Sequence, residues 1–141
     1  MLVEEVRQRL LGRAAVARCE GTVELTALIA AGQMPAAPES AFVVPMGFRG
    51  GAVRSTGSAF VQSCEEAVAV VLALRVASGV TAPDLTLEAR IDAVIAAVAG
   101  WQPAGAMDVF RLVRANMLSF QKGIVLYQIE FATSSELRIV T

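Results

Sequence analysis

The adjacent carboxylates Glu65 and Glu66, together with Glu130, are the side chains of this sequence that could form an acid–base pair. Two carboxylates act as general acid and general base when both reach one site. Neighbouring residues of a strand point to opposite faces, so Glu65 and Glu66 can share a site only where a bulge turns one of them. We therefore interpret these glutamates as exposed or interface charges.

Nucleophilic chemistry is limited by the absence of histidine from the sequence. Without an imidazole, no Ser-His-Asp or Cys-His system, histidine metal site or histidine pH switch can form. Cys64 would need a neighbouring base or cation to become a thiolate. With no CxxC motif, Cys19 and Cys64 are expected to be buried, unpaired thiols in a reducing compartment. The sequence therefore predicts no catalytic residue, metal site or cofactor.

Ligand binding would depend on an aromatic side chain or on arginines. Trp101, followed by Gln102 and Pro103, could clamp a ligand by stacking, but a single tryptophan after a helix more often fills the gap between helix and sheet. Phosphate or carboxylate groups could be met by four arginines: Arg49, Arg54, Arg111 and Arg114. The glycine spacing matches no phosphate-binding loop, and a net charge of −1 without a basic run argues against a nucleic-acid reader.

The composition favours one soluble domain that associates with other chains. A chain of 141 residues is long enough for a core without disulfide or metal staples, so we assign residues 1–141 to a single domain. Hydrophobic residues make up 55% of it, more than usual, and part of this excess is expected on a surface covered by another chain. The apolar run Ala67–Leu74 is too short to span a bilayer, and the acidic start MLVEEVRQRL is not an export signal. We therefore expect no membrane contact and a cytoplasmic subunit.

Apolar spacing and end residues predict three helices. The third is expected to place a stripe of apolar side chains in the core, with Trp101 packed behind it. The predicted helices are residues 2–11 ending at Gly12, a helix capped by Thr22 with Leu25, Leu28 and Ile29 inward and ending at Gly32, and a helix capped by Asp84 with Leu87, Ile91, Val94, Ile95 and Val98 on one side and ending at Gly100.

The remaining segments predict strands and turns, and hence an α+β fold: a mostly antiparallel, mixed sheet with about three helices packed on it. Residues 47–57 are predicted to form a flexible arm or hairpin tip, and residues 134–141 a C-terminal edge strand or tail. The other predicted segments are an extended piece at 15–19, a loop at 33–39, a strand at 41–46, one strand or two broken near 64–66 within 58–76, a turn at 78–83, strands at 109–113 and 116–120, a turn at 121–123 and a strand at 124–132.

Four sequence segments, in order, are similar to a known family. They are AFVVPMG (Ala41–Gly47), EEAVAVVLAL (Glu65–Leu74), GWQPAGA (Gly100–Ala106) and GIVLYQIEFAT (Gly123–Thr133). In this order and spacing they resemble segments of the tail terminator proteins of long-tailed bacteriophages and prophages, across about residues 2–133. None of these motifs carries catalysis.

The resemblance implies an α+β subunit of a closed ring, usually a hexamer, in the virion. Such a ring sits on the head-proximal end of the tail tube, stops tube polymerisation and offers a surface to head-completion proteins. Assembly would take place in the host cytoplasm, and DNA would pass through the lumen without specific binding. We expect the assembly interface to include the arm, the C-terminal segment and the outer face of the first helix, with these residues as candidates: Arg49, Arg54, Phe60, Gln62, Glu65, Glu136 and Arg138.

Three other interpretations remain open at the level of sequence. The chain could be a head-to-tail connector or minor tail-tube subunit, which would differ in whether its rings stack. It could be a component of a domesticated prophage or gene-transfer particle. A small ligand-binding or enzymatic domain using Trp101, Glu65, Glu66 and Glu130 is a more remote alternative.

Overall fold

The described residues form one five-stranded mixed sheet with three helices, as the sequence predicts for an α+β protein. The computed structural model describes residues 2–16, 18–31, 39–55, 57–75, 83–121 and 123–140. The strand order is β1-β2-β3-β5-β4, in which only β1 and β2 pair in parallel. The elements are α1 (Val3–Gly12), β1 (Cys19–Glu20), α2 (Thr22–Ala30), β2 (Glu39–Val53), β3 (Ala59–Arg75), α3 (Pro83–Val98), β4 (Arg111–Gln121) and β5 (Ile124–Val140).

The helices begin and end close to the predicted residues, with two corrections. Thr22 is the first residue of α2 and not its N-cap. α1 carries Glu4 and Glu5 in its first turn, where negative charge is favourable, and ends at Gly12. α3 begins at Pro83 and already contains Asp84, so Asp84 is not its N-cap. Proline suits a first helical position because its fixed φ is helical and it needs no hydrogen-bond acceptor there.

Apolar side chains cover both faces of the sheet. One face packs against α1 and α3 and is called here the α1/α3 face; the other packs against Leu25 and Leu28 of α2 and is called the α2 face. Alternate residues of β3 point to the two faces, since Val70 lies in the cluster of the α1/α3 face and Val71 in the cluster of the α2 face. The largest fully buried residues of the α1/α3 face are Val6, Leu10, Val43, Val68, Val70, Leu72, Val94, Val98, Phe110, Ile129 and Phe131.

Long-range pairing makes the strands longer and fewer than predicted. Residues 59–75 form one strand, because β5 pairs with all of β3 without interruption. Residues 111–121 also form one strand, so the two short strands predicted at 109–113 and 116–120 are wrong; bulges near Val113 and Leu118 produce the break in their pattern. The predicted extended piece at 15–19 is instead a two-residue strand, Cys19–Glu20.

Several predicted features lie outside the described residues. These are Gly32 and nearly all of the loop at 33–39, most of the turn at 78–83, Lys122 in the turn after β4, and the side chain of Ile29. None of the described helices has the length and apolar composition needed to cross a membrane.

Candidate assembly surface

Three strands of the sheet continue past the helices. Phe48, Glu66 and Thr133 lie side by side in β2, β3 and β5. Glu66 lies at the N-terminal end of α1, where its Oε2 accepts a hydrogen bond of 2.6 Å from the N–H of Leu2. We call the part of the sheet beyond this level the arm. It comprises residues 48–53, 59–66 and 133–140 and is larger than the flexible segment predicted at residues 47–57.

The outer strand of the arm is shaped by glycines. β2 has a bulge between Gly50 and Val53. A Cβ at Gly51 would lie 3.1 Å from the carbonyl oxygen of Ser63, so this close approach of backbone to backbone favours glycine. Gln62 also occupies the space beside Gly50, and its Nε2 donates to the carbonyl of Gly51 at 3.1 Å. The residues predicted as a flexible arm or hairpin tip are thus strand as far as Val53.

The α2 face of the arm carries paired charges. Glu65 lies 2.9 Å from Arg111 Nη2 and 3.8 Å from Arg49 Nη2. Glu136 lies 3.3 Å from both Arg54 and Arg138. Each of these carboxylates is thus flanked by two guanidinium groups.

These ion pairs are largely exposed and contribute little to the stability of the fold. The side chains of Arg49, Arg54 and Arg138 are 81%, 63% and 60% exposed, and exposed pairs contribute only about 0–1 kcal/mol each. A groove of about 320 Å³ lies among them, with Met107 and Ser134 also in its lining. The arrangement offers an ordered polar surface with fixed charges to a partner.

The outer part of the α1/α3 face of the arm exposes apolar side chains, whereas Glu66 and Thr133 at its base are buried. Phe48, Val53 and Ile139 are 47%, 56% and 50% exposed, and Phe60 and Leu137 are half-buried. All five lie on one face, since the register pairs Val53 with Gln62 and Ile139 with Phe60 on β3. Together the two faces make the arm amphipathic.

The seven residues predicted for the assembly interface all lie on the arm, but on two faces. Five of them form the ion pairs of the α2 face: Arg49, Arg54, Glu65, Glu136 and Arg138. Phe60 and Gln62 lie on the opposite face. One flat partner surface cannot contact both sets at once.

A second exposed surface, on β4, was not predicted. Its apolar residues are exposed by 43–59%: Leu112, Val113, Met117, Leu118 and Phe120. β4 is an edge strand, and its outer side has no neighbour among the described strands. The sequence signal was the recurrence of apolar residues through LVRANMLSF, which the prediction assigned to two strands without considering their exposure.

The structure separates the residues considered for chemistry. Glu65 and Glu66 lie on opposite faces, and Glu130 pairs with Arg114 at 3.2 Å. Burial of Cys19 raises the pKa of its thiol to about 12, which keeps it protonated near neutral pH. Cys64 is buried as well. Among the described residues, no group of three potential ligands could hold a metal ion.

Trp101 packs between α1 and the core. Its ring stacks on Phe110 at a centroid distance of 5.9 Å, and the guanidinium of Arg9 lies 5.0 Å above it. An open groove of about 590 Å³ lies beside it along α1. Of the other predicted core residues, Val94 and Val98 are fully buried, whereas Ile91 and Ile95 are partly buried against the same cluster.

Comparison with known proteins agrees with the resemblance seen in the sequence. A family model described as "Phage tail terminator protein" matches residues 1–141. A solved structure entitled "Virion of native gene transfer agent (GTA) particle" contains a chain of similar fold, with a TM-score of 0.50 and 16% identity over 94% of this chain and 92% of that one. No curated protein matches the sequence. Because the family model covers the whole chain, the protein belongs to the phage tail terminator family and is a structural protein of phage tails.

Proposed function

We propose that this protein forms a ring on the end of the phage tail tube, stops tube polymerisation and provides the attachment surface for head-completion proteins. The observation that carries the proposal is the amphipathic arm beside an apolar edge strand, within a fold that belongs to the tail terminator family. Apolar surface of this extent is costly in a free subunit and is expected to be covered in an assembly.

A closed ring, which we propose to be a hexamer, suits a subunit with two different adhesive surfaces. In a ring each contact joins one surface of a subunit to a different surface of the next. The arm and β4 differ in charge, since the arm carries Glu65 and Glu136 beside its own arginines, whereas β4 has no acidic residue and exposes apolar side chains. Such surfaces are unsuited to a symmetric dimer, where one patch must match itself.

Termination requires the two ends of the ring to differ. One end complements the tail-tube protein, and the other must fail to bind a further tube subunit while it binds the head-completion or connector protein. The ring would therefore occupy the head-proximal end of the tail in the virion, after assembly in the host cytoplasm. No bond is made or broken in this process, so it needs no cofactor or catalytic residue.

Passage of DNA through the ring requires a lumen that does not hold the phosphate backbone. The net charge of −1 and the pairing of the arm's arginines with glutamates suit such passage. We therefore propose that the protein makes no specific contact with DNA.

The first test is the mass of the purified protein by light scattering across concentration, followed by negative-stain imaging with tail tubes added. We expect closed rings, or rings seated at one end of the tube only. A strict monomer that never binds a tube end would contradict the proposal. Rings that stack without limit would also contradict it and would instead identify a connector or tail-tube subunit.

A further inference from the structure

Two edges of the sheet have no strand on their outer side within the described part of the chain. β4 is the last strand on one side of the sheet, and no described strand lies beside its outer edge at any point. On the other side β1 covers β2 only at Ala41 and Phe42, which leaves residues 43–53 of β2 without an outer neighbour. Long edges flanked by exposed apolar side chains pair readily with another chain.

Both edges contain two bulges, and the bulges are spaced alike. An unbulged strand presents every second residue to one face, but here the separations are three, two and three positions in both strands. The residues presented to the α1/α3 face are Pro45, Phe48, Gly50 and Val53 in β2, and Leu112, Ala115, Met117 and Phe120 in β4.

The equal spacing of the bulges indicates which strand can pair with each edge. A regular strand laid against either edge would move its side chains to the wrong face at each bulge. When the two edges of this chain are paired with each other, the four residues that one strand presents to the α1/α3 face lie opposite the four that the other strand presents. The occupant favoured for each edge is therefore the other edge of a second copy.

The direction of pairing follows from the sheet and from ring symmetry. Within the chain β4 runs antiparallel to β2, because three antiparallel pairs separate them. Neighbours in a ring of six differ by a rotation of about 60°, so their β2 strands point in the same general direction. β4 of one copy must then meet β2 of the next in the antiparallel sense.

Resting on the ring assembly described above, we propose that β4 of one subunit pairs antiparallel with residues 45–53 of β2 in the next copy. In this register Met117 lies opposite Phe48, and Leu112 lies opposite Val53. Both pairs are apolar and on the same face, which stabilises a cross-strand contact. The pairing ends at Pro45, which has no N–H to donate, and just short of the stretch that β1 already covers.

Disulfide trapping of the full chain tests this register. The double variant Phe48→Cys/Met117→Cys, oxidised at concentrations where rings form, is expected to give a ladder of covalent oligomers that ends at the ring size. Cross-strand neighbours are close enough for a disulfide. The native thiols of Cys19 and Cys64 are buried, so the two single variants should remain uncrosslinked.

A matched control is Val53→Cys/Phe120→Cys, whose side chains are as exposed but would be opposite each other only in a parallel contact. It should remain monomeric after denaturation. The proposal is overturned if the control forms the ladder, or if neither double variant does so although imaging shows rings. It is also overturned if Met117→Cys crosslinks only to added tail-tube protein. Absence of rings in wild-type protein would instead contradict the proposed function.

A charge exchange provides an independent measurement. Leu112→Glu and Val53→Lys are each expected to abolish ring formation, since each places a charge against an apolar residue of the next copy, and the double variant is expected to restore it. Both side chains are about half exposed, so each variant should keep a wild-type circular dichroism spectrum. Folded single variants that still form rings would overturn the proposed contact.

Discussion

At the scale of the residue, Glu65 and Glu66 are neighbours in the sequence, yet their carboxylates have different contacts. Glu65 lies on the α2 face and meets two arginines at an exposed site. Glu66 is 4% exposed on the other face and binds the N–H of Leu2 at the start of α1. A carboxylate at a helix N-terminus interacts favourably with the helix dipole and with an N–H that has no partner within the helix. Glu66 therefore links the start of α1 to β3 by a hydrogen bond.

Substitution Glu66→Gln is expected to lower the free energy of unfolding by about 1–2 kcal/mol, because the amide loses the charge that α1 favours. Urea unfolding followed by Trp101 fluorescence measures the change. The matched control is Glu65→Gln, whose exposed ion pairs should cost less than about 1 kcal/mol. Equal losses in the two variants would contradict the role assigned to Glu66.

At the scale of the element, the segment after α3 connects the helix to the arm. The N–H of Gly100 donates to the carbonyl of Phe110 and that of Phe110 to the carbonyl of Trp101, both at 2.8 Å. The N–H of Met107 donates to the carbonyl of Ser134 on β5, also at 2.8 Å. The segment can turn back in this way because Gly100 has a φ of +80°, in the left-handed region.

Substitution Gly100→Ala is expected to destabilise the protein by about 1 kcal/mol through backbone conformation alone. A Cβ at Gly100 would meet no atom within 4 Å, so no steric clash contributes. The matched control is Gly12→Ala at the end of α1, where a Cβ also has open space and no positive φ is required. That variant should be neutral or more stable by up to about 1 kcal/mol, and a shared destabilisation in thermal unfolding would contradict the argument.

At the scale of the whole molecule, the residues that stabilise the fold are largely distinct from the residues of the proposed assembly surface. The buried clusters lie mainly under the helices, whereas the arm's arginine side chains are exposed. Changes on the arm's α2 face should therefore alter assembly while they leave folding nearly intact. This separation is typical of subunits whose binding surfaces are supported by a rigid sheet.

The double variant Arg54→Glu/Arg138→Glu tests that separation, because it surrounds Glu136 with acidic groups. We expect a melting temperature within a few degrees of wild type, since exposed pairs contribute about 0–1 kcal/mol each. We expect loss of ring formation or of tube capping in negative-stain images. The control is Arg75→Glu, an exposed arginine on the same face at the opposite end of β3. Capping by the double variant would show that this face contacts no partner.

The sequence by itself determined the fold class, the family and most helix ends, because apolar periodicity, Gly12 and Gly100 are local signals. Adjacency in β3 also separated Glu65 from Glu66 before any coordinates were known. Tertiary structure alone decided that β3 and β4 are single strands, that Glu66 binds the start of α1, and that the predicted interface residues divide between two faces. The physical reason is that strand register and bulges depend on pairing between residues far apart in the chain, and that pairing decides which side chains share a face.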